Sequence, residues 1–322
     1  MNLLEVRDLT KHFPVRKGLF SGASGHVHAV DGVSFDIAEG ETLGLVGESG
    51  CGKSTTGKLI LKLLDPTRGS VLWRGRPIEQ LDAAAMRPVR RELQAVFQDP
   101  YSSLNPRMRA ADIVAEPIRN FESAKDAEID DRVAQLFHKV GLRRDHMPKY
   151  PHEFSGGQRQ RLGIARALSS RPKLIVCDEP VSALDVSVQA QVINLLMDLQ
   201  RELAVSYLFV AHDLAVVEHI SHRVAVMYLG KIVELADKRS LFGEPQHPYT
   251  EALLAAVPAP DPRVKKKRVI LSGDVPSPVD PPSGCRFHTR CPYAFERCRV
   301  EEPVLKEVKA GHRVACHLRG AP

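Results

Sequence analysis

Gly47-Glu48-Ser49-Gly50-Cys51-Gly52-Lys53-Ser54 fits the pattern G-x-x-x-x-G-K-[ST]. It stands between a buried-strand candidate, Thr42–Val46, and an amphipathic helix expected from Lys53 to about Leu64. Strand, glycine loop and helix in this order make a phosphate cradle. Glycines let backbone N–H groups come close to a phosphate, and the helix N-terminus adds a favourable dipole for an anion. Lys53 is expected to reach the β- and γ-phosphates of a nucleotide, and the Ser54 hydroxyl to bind Mg2+. Gly47, Ser49, Gly50, Cys51, Gly52 and Thr55 complete the expected nucleotide-binding set. Cys51 reads either as a small filler or as a redox group.

Two further features lie downstream. Leu174-Ile175-Val176-Cys177-Asp178-Glu179 is an apolar strand ending in two carboxylates. Asp178 suits a Mg2+ ligand, and Glu179 suits a general base that takes a proton from an attacking water. Phe154-Ser155-Gly156-Gly157-Gln158 precedes a helix that begins Arg159-Gln160-Arg161. Small residues ahead of a helix N-terminus make a second anion site. One ATP per chain needs only one phosphate site, so a second implies a dimer in which each protomer caps the other's nucleotide.

Around these features the pattern predicts strands at Leu3–Val6, Val33–Ile37, Glu92–Phe97, Lys173–Cys177 and Ser206–Ala211. It predicts helices at Ala110–Ile118, Ala127–Val140, Gly157–Leu168, Val186–Glu202 and Leu214–Ile220. Strands alternating with helices imply a parallel α/β sheet. The block from about 100 to 170 shows no strand and reads as a helical subdomain inserted into that core. Gly18–Gly25 is expected to be a loop. Residues from about 257 to 322 read as a small loop-rich appendage. The basic run Arg263–Arg268 within it is either a solvated linker or a segment near lipid headgroups.

The chain has 322 residues, with 45 Lys and Arg against 39 Asp and Glu, a net charge of +6. Hydrophobic residues make up 43% and charged residues 26%, which excludes collagen-like, largely disordered and disulfide-scaffold chains. No run approaches the ~18 apolar residues of a spanning helix. The first residues lack the basic-then-apolar pattern of a signal peptide, so a cytoplasmic location is expected. The basic balance suits phosphate-bearing partners or an anionic membrane surface.

Four of the six cysteines, Cys285, Cys291, Cys298 and Cys316, fall near the C-terminal end with spacing C-x5-C-x6-C-x17-C. In a reducing compartment such clustering reads as a metal site rather than as disulfides. The spacing lacks the C-x2-C pairs of most structural zinc sites. Four thiolates can hold Zn2+ or a [4Fe–4S] cluster, or stay free. A metal staple would explain how a segment with few apolar residues folds. Arg286, Arg290, Arg297 and Arg299 read either as counter-charges to a cysteinate cluster or as a solvated basic face.

In chain order, the loop 47–54, Gln98, Phe154–Gln158, the Asp178–Glu179 pair, Ser182-Ala183-Leu184-Asp185 and His212 resemble the motifs of the ATP-binding subunits of ABC transporters. The resemblance implies an α/β fold, a P-loop (RecA-like) ABC ATPase core. It adds an inserted helical subdomain, an antiparallel β segment and a small metal-binding C-terminal extension. The nucleotide-binding domain would cover residues 1–256 and the extension residues 257–322. It implies that Phe13 stacks on adenine, the rival reading being a core phenylalanine. Gln98 would sense the γ-phosphate and Mg2+ and move with the membrane partner. His212 would hydrogen-bond the γ-phosphate. Ser155, Gly157 and Gln158 would meet the γ-phosphate of the opposite subunit, and Asp185 would couple the two sites.

A narrower resemblance rests on Gln98–Arg107, His247-Pro248-Tyr249-Thr250, Pro281–Cys285 and the later cysteines, which are similar to the ATP subunits of dipeptide and oligopeptide importers. The insert near Gly18–Val27 is similar to their F-type subunit. This implies a [4Fe–4S] cluster on Cys285, Cys291, Cys298 and Cys316. It implies a second, D-type ATP-binding subunit, two transmembrane permease subunits and, indirectly, an extracytoplasmic peptide-binding protein. The location would be the cytoplasmic face of the bacterial inner membrane, with no nucleic-acid partner. Relatives with this pattern also import nickel chelates or small sugars. The other competing readings are a metal or redox sensor and a soluble ABC-type ATPase acting on nucleic acid or ribosomes. Against the latter, the segment between Gln98 and Phe154 is too short for a long coiled coil, and the chain has one phosphate loop.

Overall fold

The computed structural model describes residues 2–16, 23–99, 103–257 and 273–319. Most of the Gly18–Gly25 insert, the Pro100–Ser102 part of the segment after Gln98 and the basic run 263–268 lie outside the described residues.

The chain opens with β1 (Asn2–Arg16) and β2 (Ala23–Ala38), both far longer than the pattern predicts. The described end of the insert, from Ala23, opens β2 instead of continuing a loop. Charged residues such as Arg7 and Asp8 hide this length in the sequence, because they lie on the exposed face while Leu3, Leu4, Val6 and Leu9 are buried. β3 (Thr42–Val46) is buried at every position, which explains its unbroken apolar run. α1 (Lys53–Ile60) ends short of Leu64, and Lys62 turns the chain with a φ of 50°. β4 (Arg68–Trp73) and β5 (Arg76–Pro77) follow.

α2 (Ala83–Glu92) is capped by Asp82, which accepts from the Ala85 N–H at 2.8 Å. It takes Glu92 from the predicted strand, so β6 covers Leu93–Val96. α3 (Ala110–Phe121), α4 (Asp126–Lys139) and α5 (Gly156–Ser169) come next, helical throughout as the spacing predicts. They pack on one another, and Ile113, Val114, Val133, Phe137 and Leu162 on them are buried. β7 (Leu174–Asp178), α6 (Val186–Leu203), β8 (Ser206–Ala211) and α7 (Leu214–Ile220) stand within one residue of their predicted bounds.

Past α7 the order becomes β9 (Arg223–Tyr228), β10 (Lys231–Asp237), α8 (Lys238–Gly243) and α9 (Pro248–Ala256). The described end adds α10 (Glu296–Val300), β11 (Lys306–Lys309) and β12 (His312–Val314). β9 and β10 form a hairpin through Leu229 (φ 41°) and Gly230 (φ 82°). Two positive φ angles make the tight turn that matches strand twist.

The chain divides into two compact units. The first holds Ile37–Thr42 and Gln80–Val210, with β6, β7 and β8 parallel in register, as in Leu93↔Leu174 and Leu174↔Ser206. The second holds Leu4–Asp36, Leu43–Glu79 and the chain from Ala211 on. In it β1 pairs antiparallel with β4, and β3 pairs parallel with β9. From β9 the sheet continues antiparallel through β10, β12 and β11. The residues after 273 thus add strands to the sheet that carries the glycine loop. Among the described residues, no helix is long and apolar enough to cross a membrane.

Candidate active site

In the second unit the glycine loop joins β3 to α1. Gly47, Gly50 and Gly52 have φ of 152°, 80° and 108°. A Cβ on Gly47 would stand 2.1 Å from the Met227 carbonyl oxygen, and one on Gly52 2.0 Å from that of Ala29. Only glycine fits these two places. Lys53 is 4% exposed, and its ammonium donates to the carbonyls of Gly47 (2.8 Å) and Glu48 (3.0 Å). Ser49 and Gly50 are exposed at the loop crest, while Ser54 and Thr55 are half-buried at the helix start. Cys51 is buried, and burial pushes its thiol up against the pull of Lys53. A protonated, covered thiol fits the filler reading and not the redox one. Phe13 is half-buried on β1 with the Lys11 ammonium 5.2 Å from its ring, so it is not a core phenylalanine.

The first unit carries the carboxylates. Asp178 ends β7 and Glu179 follows with φ 46°, an uncommon conformation for a residue with a side chain. The Glu179 N–H donates to Val210 at 3.0 Å, and its carbonyl accepts from the Ser182 hydroxyl at 3.1 Å. Gln98, exposed after β6, donates from its side-chain amide to the Glu179 carboxylate at 3.0 Å. Ser155 caps α5: its hydroxyl accepts from the Gln158 N–H (3.4 Å), and the Gln158 side chain accepts from the Ser155 N–H (3.0 Å). This capping box faces the exposed N-terminus of a 14-residue helix. A Cβ on Gly157 would meet Val188 at 2.5 Å. Asp185 caps α6 through the Val188 N–H at 3.0 Å, and the Ser187 hydroxyl bond holds its carboxyl low. His212, in the second unit, is exposed directly after β8.

The cysteine segment is tied to the glycine loop, all within the second unit. Arg290, 8% exposed, makes a two-pronged ion pair with Glu48 at 2.7 and 3.1 Å. The Glu48 N–H donates to the Tyr249 hydroxyl at 2.9 Å. Arg286 bonds Asp31 and the Leu229 carbonyl. The Gly230 N–H of the same hairpin turn donates to the Cys51 carbonyl at 2.9 Å. Phe287 is buried against Tyr228 and Tyr249, with ring centroids 5.3 and 5.4 Å away. Arg286 and Arg290 are therefore no solvated face. The segment also has an aromatic anchor that a count of its apolar residues missed. Arg297 does remain at the surface, paired with Glu301 at 2.7 Å.

Cys298 and Cys316 are buried, and Cys285 and Cys291 are half-buried. The Cys285 thiol is pushed up to about 11 by burial, with the other three cysteines adding to the rise. Among the described residues, only His12, His28 and Asp31 bring three His, Cys, Asp or Glu ligand atoms within 4.8 Å of one another. A cation there would meet Arg286 and Lys231, which already hold Asp31.

Glu48, Tyr249, Arg286 and Arg290 escaped the motif reading. Three of them carried a signal in the sequence: Tyr249 sits in the His-Pro-Tyr-Thr run, and Arg286 and Arg290 lie between the first two clustered cysteines.

Comparison with known proteins places this arrangement. The ABC transporter family matches residues 30–182, and the oligopeptide/dipeptide transporter C-terminal region matches residues 233–298. The "Probable peptide ABC transporter ATP-binding protein" of Sinorhizobium fredii is 56% identical over 98% of this chain and 90% of its own length. The oligopeptide transport ATP-binding protein of Bacillus subtilis is 54% identical over 98% of this chain and 97% of its own. Among solved structures, a dimeric ATP-binding cassette in a post-hydrolysis state with ADP and phosphate superposes with a TM-score of 0.66. It is 28% identical and covers 73% of this chain and 99% of its own.

Proposed function

This chain belongs to the ATP-binding subunits of peptide and oligopeptide ABC transporters, and from that premise we propose that its motifs divide one catalytic cycle among them. It is an ATP-hydrolysing subunit of an ABC importer for dipeptides or oligopeptides. Binding of Mg-ATP closes a dimer of such subunits, closure pulls on the permeases, and hydrolysis reopens it. The observation that carries this reading is the glycine loop, where a 4%-exposed lysine points its ammonium at carbonyl oxygens inside a cradle only glycine can form.

Lys53 and the loop N–H groups hold the β- and γ-phosphates, and Phe13 stacks on adenine. Ser54, Gln98 and Asp178 would hold the magnesium, which when bound would neutralise phosphate charge. Glu179 takes the proton of the attacking water, and His212 donates to the γ-phosphate. Ser155, Gly157 and Gln158 meet the γ-phosphate bound by the partner subunit, and Asp185 links the two sites. Neutralising charge that grows in the transition state supplies much of the rate. The helices between 110 and 169 form the subdomain that reads the permease.

The partners are a homologous D-type ATP-binding subunit and two transmembrane permeases, with a peptide-binding protein beyond the membrane. The location is peripheral, on the cytoplasmic face of the inner membrane. We further propose that Cys285, Cys291, Cys298 and Cys316, in the extension 257–322, hold a [4Fe–4S] cluster as a structural element. A tetrahedral zinc with Zn–S near 2.3 Å needs sulfurs about 3.8 Å apart. No three of these thiols stand within 4.8 Å of one another, so they are not gathered as a tetrahedral zinc would hold them, and the cluster reading rests on four free cysteines in one segment.

The test is Mg-ATP hydrolysis by the full-length chain, alone and reassembled with its permeases and a peptide-binding protein. Peptide-stimulated hydrolysis is expected. Stimulation by a nickel chelate or a sugar instead would change the cargo, and no hydrolysis in either setting would overturn the reading.

A further inference from the structure

We propose that Arg290, from the cysteine segment, is a positioning residue for the phosphate loop, acting through Glu48 to keep the cradle open when nucleotide draws Lys53 away. The proposal rests on the ATPase reading above.

Glu48 is fixed at three points. Its carbonyl accepts from Lys53 at 3.0 Å, its N–H donates to the Tyr249 hydroxyl at 2.9 Å, and its carboxylate takes both prongs of Arg290 at 2.7 and 3.1 Å. Only the first of these is lost on binding, because the ammonium that holds the carbonyl is the group a phosphate recruits. Once Lys53 turns to the ligand, the loop keeps the shape set by Tyr249 and Arg290. Tyr249 lies on α9 and Arg290 between Cys285 and Cys291, so both surviving anchors come from the chain after residue 245.

The Arg290 anchor is the stronger one. A two-pronged guanidinium–carboxylate bond is charge-assisted and fixes orientation as well as distance. Arg290 is 8% exposed against 28% for Glu48, so water screens the pair little. The guanidinium also stands 5.9 Å from the Tyr228 ring centroid, which limits where it can go. Its chain neighbours are pinned as well: Phe287 is buried in the aromatic cluster and Arg286 holds Asp31. The cysteine segment thus acts as a fixed bracket, with Arg290 as its contact to the loop.

The experiment is steady-state Mg-ATP hydrolysis by the full-length chain, with calorimetric affinity for Mg-ATP alongside, for Arg290→Met, Arg290→Lys, Glu48→Gln and the Arg290→Met, Glu48→Gln pair. Arg290→Met is expected to raise KM about tenfold while kcat changes less than about twofold, the split of a lost ground-state anchor. Arg290→Lys, a point charge without the fork, should fall between it and wild type. The pair should be no worse than the worse single variant, because both remove one contact. Unchanged KM and affinity in Arg290→Met, with wild type hydrolysing normally, would overturn the proposal. So would a fully additive pair. If Arg290→Met does not fold, Glu48→Gln decides from the other side: a KM equal to wild type overturns the proposal, and a rise supports it. A wild-type chain that neither binds nor hydrolyses ATP would instead overturn the ATPase reading.

Discussion

The side-chain amide of Gln98 donates to the carboxylate of Glu179 over 3.0 Å. The residue assigned to sense the γ-phosphate thus holds the residue assigned to activate the water. While Gln98 donates to that carboxylate it occupies one of the oxygens that would receive the water's proton, so that oxygen is freed once Gln98 turns to nucleotide and metal. This gives a physical route by which an unfilled site stays idle.

Glu179→Gln keeps the side-chain shape and removes the base. Hydrolysis is expected to fall by about 10²–10⁴-fold while Mg-ATP binding is kept. Size-exclusion chromatography with Mg-ATP should show a trapped dimer. Wild-type turnover in this variant would remove Glu179 from the role of base.

Lys53→Ala removes a buried ammonium and leaves the carbonyls of Gly47 and Glu48 without that donor. A charge-assisted contact to phosphate is lost with it. Mg-ATP affinity by calorimetry is expected to drop about 100-fold or more. An unchanged affinity would contradict the phosphate-loop assignment.

Acid should destabilise the second unit through His247. Burial lowers its imidazole from 6.5 to about 4, and its Nδ1 accepts from the Tyr249 N–H at 3.1 Å, a bond only the neutral ring makes. The unfolded chain therefore takes up a proton below pH 6.5 that the folded one refuses. Stability is complete above that pH and is lost as pH falls towards 4, by about 2 kcal/mol at pH 5. Glu234 acts in the same direction at lower pH. Burial raises its carboxyl, but donation from His312 and the N–H groups of Gln246 and His247 outweighs this and leaves it below its ordinary 4.5. Urea unfolding at pH 7 and pH 5 should show a smaller difference in His247→Asn than in wild type. Equal differences would mean that His247 does not titrate in this range.

The four thiols predict a metal content. Anaerobically purified protein should carry about four irons and four acid-labile sulfides per chain, with a broad visible absorption. Cys298→Ser, which removes a buried ligand, should lose most of the iron. About one zinc and no sulfide would replace the cluster with a structural zinc site.

The sequence disclosed the parallel core well because buried strands such as β7 and β8 are unbroken apolar runs between strong turn signals. It was poor at the antiparallel elements. β9 and β10 are joined by Leu229 and Gly230, and a leucine at φ 41° gives no turn signal by propensity. β1 and β2 carry charges on one face, and α2 contains Pro88, which argues locally against a helix. Of the site, the glycine loop and the paired carboxylates could be read because their spacing is local. The ties from Arg290 to Glu48 and from Arg286 to Asp31 span 242 and 255 residues, and nothing local marks them.

Glu234 is fully buried, and one of its oxygens takes the His312 imidazole, 78 residues further along the chain. A ribosome makes the carboxylate several seconds before it makes that partner. Until His312 arrives, the carboxylate has the N–H groups of Gln246 and His247, at the start of the helix that carries Tyr249, but lacks its imidazole partner. The nascent chain thus cannot complete the support beneath its glycine loop early. The last described bond to that carboxylate therefore forms only after the strand that begins at His312 has been made.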